Sequence, residues 1–148
     1  MRNIPSVDLN DFMCNDFDRK KSFVKKIGKA YNEIGFVALK GHFLNNEDIK
    51  EVYRSIKEFF DLPSDIKSKY ELEGFDGQRG YTSFGKEHAK GKKQGDLKEF
   101  WQVGQTTIPE GADLSHYPPN VVADEVPNFS VKADELYKSL ESVGLIVL

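Results

Sequence analysis

The sequence contains few of the residues that build disulfides or metal sites. Of its 148 residues only Cys14 is a cysteine, and there are three histidines and one tryptophan. A lone cysteine forms neither an internal disulfide framework nor a cysteine-based zinc site. No apolar run approaches the roughly 20 residues that a membrane span needs, and the N-terminal residues 1–5 carry no apolar signal segment. These absences predict a cytoplasmic protein without a membrane partner.

Neither sign of charge dominates. The 21 basic and 24 acidic side chains leave a net charge of −3, which gives no reason to expect nucleic acid as a partner. Five lysines between residues 20 and 29 are more simply the solvated face of a helix. A hydrophobic content of 39%, with 11 Phe and 6 Tyr, predicts a folded chain, and its length predicts one domain, 1–148.

Two amphipathic helices are predicted in the first half of the chain. Apolar residues recur at spacings of three and four over about residues 18–34 and again over 46–61, as they do on the buried face of a helix. Asp16 or Asp18 can cap the start of the first helix, and Gly35 can end it in the left-handed conformation. Asn45 or Asn46 can cap the second.

Strands and shorter helices complete the predicted secondary structure. Residues 4–9 are predicted as an edge strand, because Pro5 lies within them, and residues 36–40 as a mostly apolar strand. Residues 8–18 are polar and loop-like. Pro63 is expected to begin a short helix with Ile66 and Tyr70 facing inward, and an apolar stripe predicts a last helix over about 129–148. The mixture of elements predicts an α+β fold.

The stretch 74–104 is the most distinctive part of the sequence. Glycines surround Arg79 and Tyr81 and allow the backbone to turn sharply or to approach a ligand. Residues 96–103 predict a short helical or turn entry into an aromatic strand. Glycine-supported loops on a rigid frame often hold small-molecule sites. A mobile, solvated surface loop is an equally open alternative.

Five segments together resemble a known enzyme family. They are IPSVDL at 4–9, AYNEIGFV at 30–37, FFDLP at 59–63, RGY at 79–81 and DLKEFW at 96–101. In this order and spacing they resemble the isopenicillin N synthase-like non-haem iron oxygenases, which belong to the iron(II)/2-oxoglutarate dioxygenases. The resemblance covers essentially the whole chain.

The resemblance implies an N-terminal region that packs against a double-stranded β-helix, or jelly roll. In that family the jelly roll holds iron through a His-x-Asp pair and a distant second His, and an Arg-x-Ser grips 2-oxoglutarate. Two imidazoles and one carboxylate leave iron positions open for oxygen and the keto acid. The implied cofactors of the full-length family are Fe(II) and 2-oxoglutarate, and the implied reactions are hydroxylation, desaturation or ring closure of a small molecule. Isopenicillin N synthase dispenses with 2-oxoglutarate, so that dependence stays open.

The sequence departs from the family where the iron ligands are concerned. None of His42, His88 and His116 has an acidic residue two positions on, and no Arg-x-Ser occurs. We therefore predict the N-terminal part of an oxygenase, truncated before most of the jelly roll, with its last helix cut short. It is expected to have no catalytic or metal residues, to bind no cofactor alone and to require the missing C-terminal catalytic half as a partner. A non-catalytic module that keeps only the scaffold, and either docks onto a full-length partner or binds a small acid, is the alternative.

The resemblance also places the loop around Arg79 near the substrate mouth. The planar guanidinium matches a carboxylate, so Arg79 is predicted to bind an acid group of the small-molecule substrate. Tyr81 and Phe100 are also predicted to contact the substrate; the alternative for Phe100 is a place in the core, because alternation along a strand turns only one of Phe100 and Trp101 inward. The alternative for Arg79 is a structural bridge between two loops.

Two further patterns do not support a site. Asp113 and His116 have the i, i+3 spacing of ligands on one helical face, but they lack a third ligand. Residues 85–93 mimic a phosphate-binding loop, yet one residue too many separates Gly85 from Gly91 and no Ser or Thr follows the lysine.

Overall fold

The chain folds into a mixture of helices and short strands, as the α+β prediction requires. The computed structural model describes residues 3–88, 90–91, 94–108, 110–113, 115 and 117–148. They form two compact units, Met1–Phe43 and Leu44–Leu148. Among the described residues, no helix combines the length and apolar character required to cross a lipid bilayer.

The unit Met1–Phe43 contains a two-stranded parallel sheet. Strands β1 (Ser6–Asp8) and β2 (Ala38–Lys40) pair with each other. Parallel strands need a crossover connection, and helices α1 (Leu9–Met13) and α2 (Phe17–Glu33) provide it. The buried apolar residues of this unit are Val7, Leu9, Phe23, Ile27 and Ala30.

Helix α1 corrects the prediction that residues 8–18 are loop-like. The carboxylate of Asp8 caps the helix by accepting a hydrogen bond from the backbone N–H of Asn10 at 2.9 Å. Leu9 is fully buried, and the ring of Phe12 lies 5.4 Å from that of Phe23. The prediction was wrong because a helix of little more than one turn shows no apolar periodicity and depends on tertiary packing for its stability.

Helix α2 begins and ends as its capping residues predict. Of the two candidate caps it is Asp16 that accepts from the backbone N–H of Arg19, at 3.1 Å. After the helix Gly35 has φ 80°, and its N–H donates to the carbonyls of Ala30 and Tyr31. Glycine adopts this left-handed geometry without a Cβ clash, which ends the helix.

Two long helices pack together in the unit Leu44–Leu148. They are α3 (Asn46–Phe60) and α5 (Pro127–Val147). Asn45 caps α3 by accepting from the backbone N–H of Glu47 at 3.0 Å. Helix α5 starts with a proline, whose missing N–H is not needed at that position. Both helices lie close to their predicted bounds.

The helix that follows Pro63 buries a residue that the sequence pattern does not indicate. It consists of α4 (Ser64–Lys67) and a 3₁₀ turn (Ser68–Tyr70). Ile66 is half-buried, whereas Lys67 is only 5% exposed. Fully buried lysines are rare unless they are paired, and the partner of this one lies in the hairpin described next.

Candidate functional site in the hairpin region

A short antiparallel hairpin forms the centre of the candidate site. Strand β3 (Gly80–Thr82) pairs with β4 (Phe100–Gln102), which places Tyr81 opposite Trp101. The aromatic strand predicted after residue 96 is thus present, and a bend rather than a helix precedes it. The predicted residues Arg79, Tyr81 and Phe100 all lie in or beside these two strands.

An aromatic cluster fixes the hairpin to the two long helices. Phe59 of α3 is fully buried. Its ring centroid lies 5.8 Å from that of Tyr81, 4.6 Å from that of Trp101 and 5.6 Å from that of Phe129. Aromatic pairs at such distances add stabilisation beyond the burial of their area. The hairpin therefore has a rigid base, which a binding site requires.

Gly80 allows β3 to pass close to the 3₁₀ turn. Its φ is 71°, and a Cβ at this position would overlap the carbonyl oxygen of Tyr70. Both the left-handed backbone and the lack of space require glycine. The backbone conformation at Gly80 consequently sets the directions of its neighbours, Arg79 and Tyr81.

A buried hydrogen-bond network joins Tyr81 to Glu99 and Lys67. The hydroxyl of Tyr81 donates a short hydrogen bond to the carboxylate of Glu99. The ammonium of Lys67 donates to the same carboxylate at 2.7 Å and to the carbonyl of Phe60 at 3.1 Å. The ammonium also lies 5.6 Å from the ring centroid of Tyr81, within the range of a cation–π contact. Lys67 is therefore buried with both its charge and its donors satisfied.

The network shifts the pKa of both acidic groups. Burial, and then the hydrogen bond to Glu99, raise the pKa of Tyr81 well above its usual value. Burial alone would raise the pKa of Glu99, but the hydrogen bonds from Lys67 and Tyr81 outweigh it and hold that pKa below its usual value. Glu99 is thus held as a carboxylate and Tyr81 as a phenol, so the hydroxyl of Tyr81 is already committed as a donor.

Arg79 retains unused hydrogen-bond donors. Its Nη1 donates to the carbonyl of Gln78 at 2.7 Å, whereas its buried Nε finds no hydrogen-bond partner in the part of the chain that the structure describes. The guanidinium lies against Gly104, where a Cβ would overlap it. The side chain of Asn120 holds Gly104 in place through two hydrogen bonds to its backbone N–H and carbonyl, each 2.8 Å long. The described residues provide Arg79 with no carboxylate partner.

Phe100 lies in an apolar groove between α3, β4 and α5. Its ring is half-buried, and the ammonium of Lys98 lies 5.2 Å from the ring centroid. The groove has a volume of about 440 Å³. Apart from Glu99 and Tyr137, its lining is entirely hydrophobic: Val52, Ile56, Phe60, Phe100, Trp101, Val103, Phe129, Ala133, Leu136 and Leu140.

Tyr81 lines a second cavity, which is polar. Its volume is also about 440 Å³. Four carboxylates contribute to its wall, together with one ammonium: Glu71, Glu73, Asp76, Glu87 and Lys86. The ring of Tyr81 and the side chain of Thr82 complete the wall. Tyr81 therefore lines the polar cavity, Phe100 lines the apolar groove, and Arg79 contributes to neither.

The histidines do not form a metal centre in the described part of the chain, where no three His, Cys, Asp or Glu side chains come together as a metal-binding group. His42 is half-buried with its Nδ1 unpaired, and His88 is exposed in a bridge to Gly95. The candidate pair Asp113 and His116 cannot be assessed because His116 lies outside the described residues. Part of the phosphate-loop pattern, at 89, 92 and 93, also lies outside them.

Sequence reasoning missed Lys67, Glu99 and Thr82. Glu99 belongs to the DLKE segment, but no periodicity links it to Lys67, 32 residues earlier. Thr82 follows Tyr81 in β3 and is 7% exposed. Neighbouring side chains of a strand point to opposite faces, so the sequence does not indicate that both Tyr81 and Thr82 are buried.

Sequence comparisons with a family model and with a curated relative both point to dioxygenases. Residues 4–125 match the family described as "non-haem dioxygenase in morphine synthesis N-terminal". The 2-oxoglutarate-dependent dioxygenase traH of Penicillium crustosum is 27% identical over 154 residues, a match that covers 98% of this chain and 46% of the relative. The chain thus spans about half the length of the curated relatives it matches.

Solved structures with the same fold are also known. A protein of Caulobacter crescentus described as a member of the 2OG-Fe(II) oxygenase family is 35% identical, with a TM-score of 0.79 over 99% of this chain and 47% of that one. A full-length Neurospora crassa protein in complex with alpha-KG is 22% identical, with a TM-score of 0.77 over 97% of this chain and 44% of that one. At 22% identity, the similarity to the Neurospora crassa protein shows a common fold and no more.

Proposed function

This chain belongs to the family of non-haem dioxygenase N-terminal domains, and we propose that it is the N-terminal part of an iron(II)- and 2-oxoglutarate-dependent oxygenase. The reaction would be oxidation of a small molecule by hydroxylation, desaturation or ring closure. The family match over residues 4–125 carries this proposal. We assign residues 1–148 to one N-terminal domain, with the stretch 74–104 on its substrate side.

The residues of this chain do not fit the iron site of that family. The described part has no metal-binding group of three side chains, and the sequence contains neither His-x-Asp nor Arg-x-Ser. In the family, Fe(II) and 2-oxoglutarate supply the chemistry that activates oxygen. We assign the ligands of both to a part of the complete enzyme other than these 148 residues, and we assign no catalytic or metal residue to this chain.

Arg79 is the residue of this chain that we propose to contact the substrate. A buried donor without a partner is unfavourable, and the free Nε of Arg79 is such a donor. A carboxylate would satisfy it, because its two oxygens match the fork of guanidinium donors. The proposed substrate is therefore a small molecule that carries a carboxylate. The substrate roles of Tyr81 and Phe100 stay predictions, because Glu99 occupies the hydroxyl of Tyr81 and the two rings line different cavities.

The Nε–H signal of Arg79 in a ¹H–¹⁵N spectrum tests this role directly. We expect glutarate to shift that signal saturably, because its carboxylate would accept a bond from Nε, whereas neutral glutaramide should leave it unchanged. The Nε–H of the exposed Arg54 is the internal control, and loss of one signal in Arg79→Lys assigns the resonance. Equal shifts at Arg54 and Arg79, or a response to glutaramide, would remove the proposed role.

Anaerobic addition of Fe(II) and 2-oxoglutarate tests whether the ligands of both lie outside these 148 residues. The complex of both with an oxygenase of this family gives a weak visible charge-transfer band. We expect no band from the 148-residue chain and a band from the complete enzyme that contains it. A clear band from the chain alone would place an iron site among its own histidines and contradict the proposal.

A docking module without catalysis is the second candidate function. The apolar groove supports it, because its lining is almost entirely hydrophobic and such a surface suits packing against a partner. Under the oxygenase proposal the remaining half of the same enzyme covers this groove, whereas under the second candidate a separate full-length oxygenase would cover it. The nucleotide sequence distinguishes the two, since a reading frame that stops after Leu148 favours the docking module.

The groove itself can be tested by charge insertion. Leu140 lines the groove and is 52% exposed, so Leu140→Asp should leave the chain folded. We expect the open groove to make the 148-residue chain self-associate, and Leu140→Asp to reduce that association, measured by sedimentation, because it places a charge in an apolar contact surface. Leu97→Asp is the matched control, since Leu97 is 94% exposed and lies outside the groove. Identical sedimentation of Leu140→Asp and the unaltered chain would argue against a contact surface there.

A further inference from the structure

The polar cavity beside β3 contains the buried hydroxyl of Thr82. Thr82 is 7% exposed, and the described residues provide its Oγ1 with no hydrogen-bond partner. Thr82 is one of the cavity-lining residues, as is Gly77 next to it. A Cβ at Gly77 would come within 2.7 Å of Thr82 Oγ1. Any side chain at position 77 would therefore collide with this hydroxyl, so glycine is required beside it.

Most of the charged side chains that line this cavity are carboxylates. Glu71 is paired with Lys86 at 3.0 Å and accepts from the backbone N–H of Ser83 at 2.9 Å. Burial alone would raise the pKa of Glu71, but the hydrogen bonds from the Ser83 side chain, from Lys86 and from the Ser83 backbone outweigh it and hold that pKa below its usual value. Among the described residues that line the cavity, Lys86 provides the one ammonium, and it is paired with a carboxylate that remains charged.

The other carboxylates of the cavity leave a negative excess. Glu87 is paired with Lys98 at 2.6 Å. Glu73 and Asp76 form no ion pair or hydrogen bond with the described residues. Two unpaired carboxylates, one unpaired hydroxyl and the ring of Tyr81 therefore face a cavity of about 440 Å³. A carboxylate attracts a cation, a hydroxyl oxygen accepts from N–H, and an aromatic ring attracts a cation through its quadrupole.

We propose that this cavity is a binding site for an organic amine, with Thr82, Asp76 and Glu73 as the recognising side chains. A volume near 440 Å³ suits a small organic molecule rather than a bare ion. A metal ion would require convergent ligands, and the described residues include no such group of three. The proposal depends neither on iron nor on the oxygenase assignment, and Arg79 takes no part in it.

Cadaverine, a five-carbon diamine, is the probe that tests the site. We titrate it into the 148-residue chain at low salt and follow the backbone ¹H–¹⁵N signals. Saturable shifts are expected at Gly77 and Thr82. Glutarate has the same carbon chain with reversed charge and should produce none of these shifts. Ca²⁺ alone is the third titrant, because it reports a metal site if one exists.

Substitutions distinguish this site from diffuse surface attraction. Thr82→Val removes the hydroxyl but breaks no existing hydrogen bond, so its melting temperature should match that of the unaltered chain. It should weaken cadaverine binding by about tenfold, the loss of one hydrogen bond to a charged donor, and Thr82→Ser should restore it.

Asp76→Asn keeps a residue type that tolerates the φ of 47° at this position and should also weaken binding. Glu141→Gln, an exposed carboxylate of α5 outside the cavity, is the control and should leave binding unchanged.

Several results would overturn the proposal. One is no saturable shift with cadaverine, and another is an equal response to glutarate. A third is displacement of cadaverine by stoichiometric Ca²⁺, which would make the site a metal site. Thr82→Val and Asp76→Asn with unchanged affinity would also overturn it. Since no iron or 2-oxoglutarate is present in this assay, any of these failures leaves the proposed oxygenase function untouched.

Discussion

Removing the ammonium of Lys67 should destabilise the unit Leu44–Leu148 strongly. The side chain of Lys67 is 6% exposed and that of Glu99 is 17% exposed, so their ion pair is buried. Lys67→Met keeps the length of the aliphatic stem but leaves the charge of Glu99 with only the hydroxyl of Tyr81. It also deprives the carbonyl of Phe60 of a donor. Breaking a buried pair from one side costs roughly 3–5 kcal/mol.

The expected magnitude is the lower end of that range. Because Glu99 keeps one hydrogen bond and some contact with solvent, we expect the free energy of unfolding to fall by about 3 kcal/mol. For a chain of this size that lowers the melting temperature by roughly 6–12 °C. Urea unfolding followed by circular dichroism measures the first quantity, and a thermal scan measures the second.

Two matched variants make the experiment decisive. Lys98→Met breaks a solvent-exposed pair with Glu87 and should cost less than about 1 kcal/mol. Lys67→Met combined with Glu99→Gln removes the uncompensated charge and should recover at least about 1 kcal/mol relative to Lys67→Met alone. A loss below about 1 kcal/mol for Lys67→Met, or a double variant no more stable than the single one, would refute the reasoning.

The same network predicts a dependence on pH. The folded pKa of Glu99 is lowered from its ordinary value of 4.5. Its contribution to stability is therefore fully present above pH 4.5 and is lost as the pH falls through the lower folded value. Lys67→Met should flatten this part of the stability curve. A variant curve that runs parallel to that of the unaltered chain between neutral and acidic pH would contradict the assignment.

Three further outcomes are expected. Phe59→Ala removes a fully buried ring and should lower the free energy of unfolding by about 3–5 kcal/mol in urea; a loss below about 1 kcal/mol would mean that the aromatic cluster does not hold the hairpin. Gly80→Ala forces a Cβ toward the carbonyl of Tyr70 at positive φ and should cost at least about 1 kcal/mol, whereas unchanged stability would contradict that geometry. In a spectrophotometric titration Tyr81 should ionise above the ordinary 10.0, so its stabilising effect is present below pH 10.0 and is lost as the pH rises through the folded value. Glu99→Gln should lower this pKa without restoring the ordinary one, because burial is the larger cause.

Much of the fold could be predicted from local signals. The long helices show apolar spacing over several turns, and their caps at Asp16, Gly35 and Asn45 are local hydrogen bonds. Order and spacing of five short segments sufficed to identify the family, and the family match over residues 4–125 confirms that prediction. Helix α1 escaped prediction because its stability comes from the burial of Leu9 and the contact of Phe12 with Phe23, which are tertiary effects.

The candidate site was harder to predict for the same reason. The sequence indicated Arg79, Tyr81 and Phe100 as neighbours in one binding region, and their substrate roles remain predictions. It could not indicate that Tyr81 and Phe100 line different cavities. Nor could it reveal the bond between Lys67 and Glu99, because long-range charge pairing leaves no periodic pattern in a single sequence.

The two hydrogen bonds between Asn120 and Gly104 have a consequence for how this protein can change during evolution. They tie the two ends of the segment 105–119 together at its base. The entropy of closing such a segment grows only slowly with its length, by about 0.6 kcal/mol for each doubling. Insertions and deletions between these ends should therefore be tolerated, and the position of Arg79 against Gly104 should remain unchanged by them. Relatives can thus diversify the length of this segment independently of the arginine beside it.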